Sequence, residues 1–110
     1  MRSWNLHQIE ISGGSRSPVI LDSDDAARAV LIALEPGQSL GDHQVKEHAY
    51  VLVVEGEAAV GSGGETVDAG PGTLCMFDPD ERRSVSTANG ARILLILAPW
   101  PGEGHYRGDA

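Results

Sequence analysis

The side chains able to do chemistry in this chain gather around one histidine. His43 is followed by Lys46-Glu47-His48. In an extended backbone positions 43, 45, 47 and 49 share one face, and His48 points to the other. Imidazole and carboxylate are both donors for a divalent transition metal, but a protein site normally converges three or more of them. His43 and Glu47 fall short of that number, and His48 joins them only across a bulge or turn. Cys75 lies in Gly72-Thr73-Leu74-Cys75-Met76-Phe77 with no second cysteine in the chain. An apolar run of this kind makes it a buried thiol rather than a nucleophile. No Gly-x-Ser-x-Gly elbow occurs, and Gly61-Ser62-Gly63-Gly64 lacks the lysine of a phosphate loop, so it reads as a hairpin turn. Asp22, Asp24 and Asp25 do not have the spacing of a calcium loop and read as a solvated charge run. His7 and His105 have no spacing that implicates them.

The elements that must position these groups are strands. Trp4 to Ile11 alternates, with Trp4, Leu6, Ile9 and Ile11 apolar, and is expected to be a strand. Ala29–Leu34, Ala49–Val54, Ala58–Val60, Thr73–Phe77 and Ile93–Leu97 are short apolar runs bounded by Gly, Pro or Asn. Runs of that length between turn residues fit strands better than helices. Asn89-Gly90 predicts a type I′ hairpin, because both central positions of that turn need positive φ. Asp22 to Ala29, with Ser23 as a possible cap, is the single helical start and reads equally as a loop. The chain is expected to form one domain over residues 1–110, with 98–110 a Pro/Gly-rich tail that lies against the rest through Trp100 or frays.

Composition narrows the partners. The 110 residues carry 16 acidic against 8 basic side chains, a net charge of −8, and 41% are hydrophobic. A surface this acidic repels phosphate backbones and anionic headgroups, which argues against nucleic acid and membrane partners. No secretory leader pattern follows Met1 and no apolar run approaches ~18 residues, so a cytoplasmic protein is expected.

Two stretches resemble the paired motifs of the cupin family of small β-barrels. The first motif, G-x5-H-x-H-x3/4-E-x6-G, finds Gly37, His43 and Gly56 in place, with Val45 in the slot of the second histidine and Ala49 in that of the glutamate. The second, G-x5-P-x-G-x2-H-x3-N, finds Gly72 in place, with Asp78, Asp80, Arg83 and Thr87 in the remaining slots. The resemblance spans roughly residues 29–97. It implies an all-β fold, a cupin jelly-roll barrel or double-stranded β-helix. Of the four metal-ligand slots it defines, only His43 keeps a ligand, and a guanidinium in the fourth repels a cation.

The resemblance leaves two functions open. One is a cofactor-free pocket for a small, anionic organic molecule, with His43, Val45, Glu47, Ala49 and Arg83 as ligand-binding residues. Arg83 suits a carboxylate because its planar fork donates two hydrogen bonds at once. Val51, Met76 and Phe77 are candidate walls, the last two excluding each other by strand parity. The alternative is a divalent-metal enzyme, an isomerase or dioxygenase, holding its ion through His43 with Glu47 or His48. A third possibility keeps His43 as a polar residue at the mouth of a vestigial site. Small cupins also lead us to expect a homodimer formed by sheet extension through an uncovered strand such as that at Trp4.

Overall fold

The computed structural model describes residues 1–11, 18–41 and 43–102. Among these, the regular elements are eight strands: β1 (Val19–Ser23), β2 (Arg28–Leu34), β3 (His48–Gly56), β4 (Ala58–Ser62), β5 (Glu65–Ala69), β6 (Leu74–Phe77), β7 (Ser84–Ser86) and β8 (Ala91–Ala98). They form a five-stranded sheet in the order β1-β2-β8-β3-β6 and a three-stranded sheet in the order β5-β4-β7. Every pairing is antiparallel. The core lies between the two sheets. Val30, Ile32 and Leu34 of β2, Ala49, Val51 and Val53 of β3, and Ile93 and Leu97 of β8 face Val60 of β4 and Val85 of β7. Each branched side chain taken fully out of water contributes about 1.5–3 kcal/mol, so this layer is what holds the two sheets together.

Glycines make the changes of sheet possible. The chain leaves the larger sheet after β3 at Gly56, returns to it for β6, leaves again for β7 and re-enters it before β8 at Gly90. Gly56 has φ +75, and a Cβ there would stand 2.1 Å from the Gly90 carbonyl oxygen, so no other residue fits. Thr87 ties the same corner: its buried Oγ1 donates to the Glu57 carbonyl (2.6 Å) and accepts the Gly90 amide (2.9 Å). The Gly63-Gly64 pair, with φ +58 and +87, closes the two-residue type I′ hairpin between β4 and β5.

Two expectations about local structure are corrected, and one left open is decided. Trp4 to Ile11 is not a strand; Leu6–Gln8 form a turn closed by the Gln8 amide on the Asn5 carbonyl (3.0 Å). Its alternation instead lets it lie on the larger sheet, where Arg92 donates to the Leu6 and Ile9 carbonyls (2.7 and 2.8 Å). The first strand is Val19–Ser23, a run of only three apolar residues that pattern reading passed over. Asp22 to Ala29 holds no helix: Asp22 and Ser23 end β1, Arg28 and Ala29 begin β2, and residues 24–27 are the turn between them, where Asp24 Oδ1 accepts the amides of Ala26 and Ala27. That carboxylate competes with helix formation by offering the backbone a turn. Asn89-Gly90 is not a hairpin, because β7 and β8 belong to different sheets and only Gly90 has positive φ (+104).

Candidate functional site

The two family-like segments meet at one end of the barrel. His43 and Arg83 pair as isolated bridge partners: the His43 amide donates to the Arg83 carbonyl (2.8 Å) and the Arg83 amide to the His43 carbonyl (2.7 Å). The loop before Arg83 is clamped onto the segment after His43 by the Asp80 amide on the Val45 carbonyl (2.7 Å) and by Lys46 Nζ on Asp80 Oδ1 (2.7 Å). Asp80 adopts φ +66, which Asp tolerates better than most side chains. Alternation along the strand then turns Arg83, Val85 and Thr87 inward together.

Two charges are buried here. Glu47 is 0% exposed, and its Oε2 accepts the Gly102 amide at 2.6 Å. Arg83 is 6% exposed, and its Nη1 is buried with no hydrogen-bond partner among the described residues. Burial pushes the Arg83 guanidinium below its ordinary value, and the Glu47 charge restores only part of that shift. The barrel end therefore holds a cation whose lost hydration is not fully replaced.

Of the other expected residues, Ala49 is buried on the inner face of β3, Val45 packs partly against the core, and His43 is exposed. His48 is exposed on the opposite face of β3, as alternation requires. Phe77 points into the core and Met76 out of it, which settles their exclusive parity. His105 lies outside the described residues.

The donor set does not suit a divalent metal. Val45 and Ala49 offer no ligand atom, Arg83 brings positive charge, and among the described residues no group of three His, Cys, Asp or Glu side chains is placed to hold an ion. The metal reading built on His43, Glu47 and His48 therefore has one buried carboxylate flanked by two exposed imidazoles, with His48 facing away.

A cavity of about 440 Å³ opens between β4, β5 and β6, lined in part by Val60, Ser62, Cys75, Phe77 and Glu81. None of the five expected ligand-binding residues lines it. Phe77 nonetheless pairs directly with Ala49, so cavity wall and motif slot are neighbours on the inner face. Glu81 sits at its rim, accepting Ser62 Oγ (2.7 Å) and the Asp78 amide (3.0 Å). Those bonds hold its carboxyl below the usual carboxylate range. Burial pushes the Cys75 thiol up, which suppresses its thiolate.

Sequence reasoning missed Gly102 and the Ser62–Glu81 pair. Nothing local marks either, since both are contacts across long stretches of chain. Trp100 was the one available signal for the tail: its ring packs over Arg28, 4.8 Å from guanidinium carbon to ring centroid, and brings Gly102 over Glu47. Among the described residues no helix is long and apolar enough to cross a membrane.

Known proteins agree with this architecture. A Desulfovibrio desulfuricans RmlC-like cupin superposes with a TM-score of 0.80 at 19% identity, covering 90% of this chain and 97% of that one. TT1209 from Thermus thermophilus superposes at 0.79 with 23% identity, over 90% and 98% of the two chains. KdgF from Halomonas sp. superposes at 0.72 with 18% identity, over 83% and 85%. At these identities the likeness speaks for the fold alone. No curated protein sequence gives a significant match. The model of the cupin domain family matches residues 30–97, the stretch that contains both motifs and nearly all of β2 to β8. With that match over most of its length and the two-sheet barrel around it, the chain belongs to the cupin family.

Proposed function

We propose that this cupin binds a small carboxylate-bearing organic molecule at the Arg83 end of its barrel, without a metal. The observation that carries the reading is Arg83 itself: a guanidinium only 6% exposed, with Nη1 buried and without a hydrogen bond among the described residues. A buried donor left unmatched is costly, and a charged one more so. A carboxylate supplies both the missing acceptor and the missing charge, through two parallel N–H···O bonds. Ala49 and Val45 stand where ligand-bearing side chains stand in the family motif and bring no competing polar group, and His43 at the rim is a second donor. Phe77 and Val60 offer an apolar wall beside them.

Calorimetric titration with pyruvate, succinate and benzoate, against chloride as control, tests the reading. At least one carboxylate is expected to bind the wild type, and Arg83→Met is expected to lose ten- to hundredfold in affinity, the worth of a charge-assisted hydrogen bond of about 1.5–3 kcal/mol. Equal binding by Arg83→Met refutes it. Elemental analysis of protein purified without chelator tests the metal alternative: stoichiometric iron, manganese, nickel or zinc overturns the metal-free assignment.

A further inference from the structure

The barrel is not closed on every side. β5 is an edge of the three-stranded sheet and β6 an edge of the five-stranded one, and the two strands do not pair. Register shows which side chains line the seam between them. Val67 pairs with Val60 and shares its inward face, and two residues along the hairpin Glu65 pairs with Ser62 on that same face. On β6, Cys75 pairs with Val51 and Phe77 with Ala49, so both point inward. Val60, Val51 and Ala49 are at most 3% exposed, whereas Val67 is 45% exposed. Where two sheets pack fully, the facing sheet covers an inward valine. Here the core stops short of the seam.

The cavity of about 440 Å³ lies in this seam, with Val60 and Val67 on one side and Cys75 and Phe77 on the other. That size falls within the range of small-molecule pockets. Its charged groups gather at the hairpin end. Glu65 is the register partner of Ser62, and Ser62 Oγ donates to Glu81 Oε2 (2.7 Å). The Asp78 amide fixes the other oxygen, Oε1 (3.0 Å). Both oxygens keep a lone pair for a further donor. Among the described residues no basic side chain lines the cavity, and neither carboxylate forms an ion pair. Arg82 lines a separate depression with Thr66 and Ser84, which alternation turns to the outward face of the small sheet.

We infer that the β5–β6 seam binds a small organic ammonium compound, its charged nitrogen at Glu65 and Glu81 and its apolar part between Val67 and Phe77. Two carboxylates without a counter-charge at one end of an apolar cleft match a cationic head on an apolar body. The hydrogen bonds that hold Glu81 below the usual carboxylate range keep it charged for that purpose. A metal ion is the poorer match, because among the described residues no group of three His, Cys, Asp or Glu side chains is placed to hold one. The chain's charge of −8 draws an organic cation toward the seam. The seam shares Val60 and Phe77 with the wall beside the Arg83 end. Arg83 itself does not line it, and the ligand it suits has the opposite charge.

Phenethylamine is the probe, because it joins a primary ammonium, charged at neutral pH, to a single phenyl ring. Calorimetric titration of the full chain is expected to show it binding. Phenylethanol, the same body with a neutral head, and ethylamine, the same head without the ring, are each expected to bind at least about tenfold more weakly. Glu65→Gln/Glu81→Gln is expected to lose about tenfold in affinity for phenethylamine. Asp68→Asn removes a charge from the outward face of β5 and is expected to bind as the wild type does. Should the double variant fail to fold, Val67→Lys places a cation in the seam at a site already 45% exposed and is expected to abolish binding. Position is read separately at Cys75, the chain's only cysteine and a wall of the seam. At about ten times its Kd, phenethylamine is expected to slow the reaction of Cys75 with methyl methanethiosulfonate about tenfold, by mass action. Absence of phenethylamine binding below about 10 mM overturns the inference. So does equal affinity for the alcohol, for the double variant or for Val67→Lys, a loss in Asp68→Asn, or a Cys75 that the amine leaves unprotected.

Discussion

Replacing Glu47 with glutamine separates the two roles given to the barrel's buried charges. Glutamine keeps the length of the side chain and a carbonyl oxygen for the Gly102 amide, which Glu47 Oε2 now accepts at 2.6 Å. It removes the negative charge that partly offsets the burial of Arg83. A hydrogen bond to a charged acceptor is worth about 1.5–3 kcal/mol and a neutral one about 0.5–1.5, so the Gly102 contact weakens by about 1 kcal/mol. Breaking one side of a buried charge pair costs about 3–5 kcal/mol when nothing replaces it, and a retained amide dipole lessens that. The expected total is a destabilisation of about 2–4 kcal/mol, read from urea unfolding of wild type and variant. Adding Arg83→Met to Glu47→Gln is expected to recover about 1–2 kcal/mol of it, the coupling between two groups in contact with one field. Affinity should move the other way. With its internal counter-charge gone, Arg83 is expected to hold benzoate about tenfold more tightly in Glu47→Gln, or roughly 1.4 kcal/mol. General loosening of the barrel lowers stability and affinity together, so the opposed signs are diagnostic. A Glu47→Gln variant that unfolds within about 0.5 kcal/mol of wild type, with benzoate affinity no higher, refutes the idea that these charges share the barrel interior.

Two further predictions concern contacts that sequence patterns do not announce. A Cβ on Gly102 would lie 2.7 Å from the Lys46 carbonyl oxygen and 3.1 Å from Glu47 Oε2, whereas one on Gly70 meets nothing within 4 Å. Gly102→Ala is expected to lose about 2 kcal/mol and lower the melting temperature by roughly 10 °C, with Gly70→Ala near neutral; equal midpoints would show that the tail contact contributes nothing. The hydrogen bonds that depress Glu81 give stability that is present above its unfolded value of 4.5 and is lost as pH falls through the lower folded value. Acid unfolding of Glu81→Gln is therefore expected to lack that part of the pH dependence, and a profile parallel to wild type below pH 4.5 contradicts it.

Strands, turns and strand parity were legible in the sequence because each depends on a few neighbouring residues. The runs Ala49–Val54 and Ile93–Leu97 lie within β3 and β8, Gly63-Gly64 closes the hairpin its composition suggested, and Glu47 and His48 take opposite faces as alternation demands. The spacing of Gly37, His43, Gly56 and Gly72 carried the family likeness, because tight backbone approaches admit glycine and little else, as at Gly56 against Gly90. What local pattern could not decide was which strand each segment would meet. Trp4 to Ile11 alternates like a strand but is held against the larger sheet by Arg92 instead of pairing as a strand, and Asn89-Gly90 has a hairpin's composition but joins strands of different sheets. Arg83 became a buried, incompletely solvated cation only when the strand register turned it inward beside Glu47. Gly102 became that glutamate's hydrogen-bond donor across an interval of 55 residues. Propensity and periodicity act over a turn or two of chain. Burial, charge pairing and an open seam between edge strands arise only once distant strands have closed around a shared core.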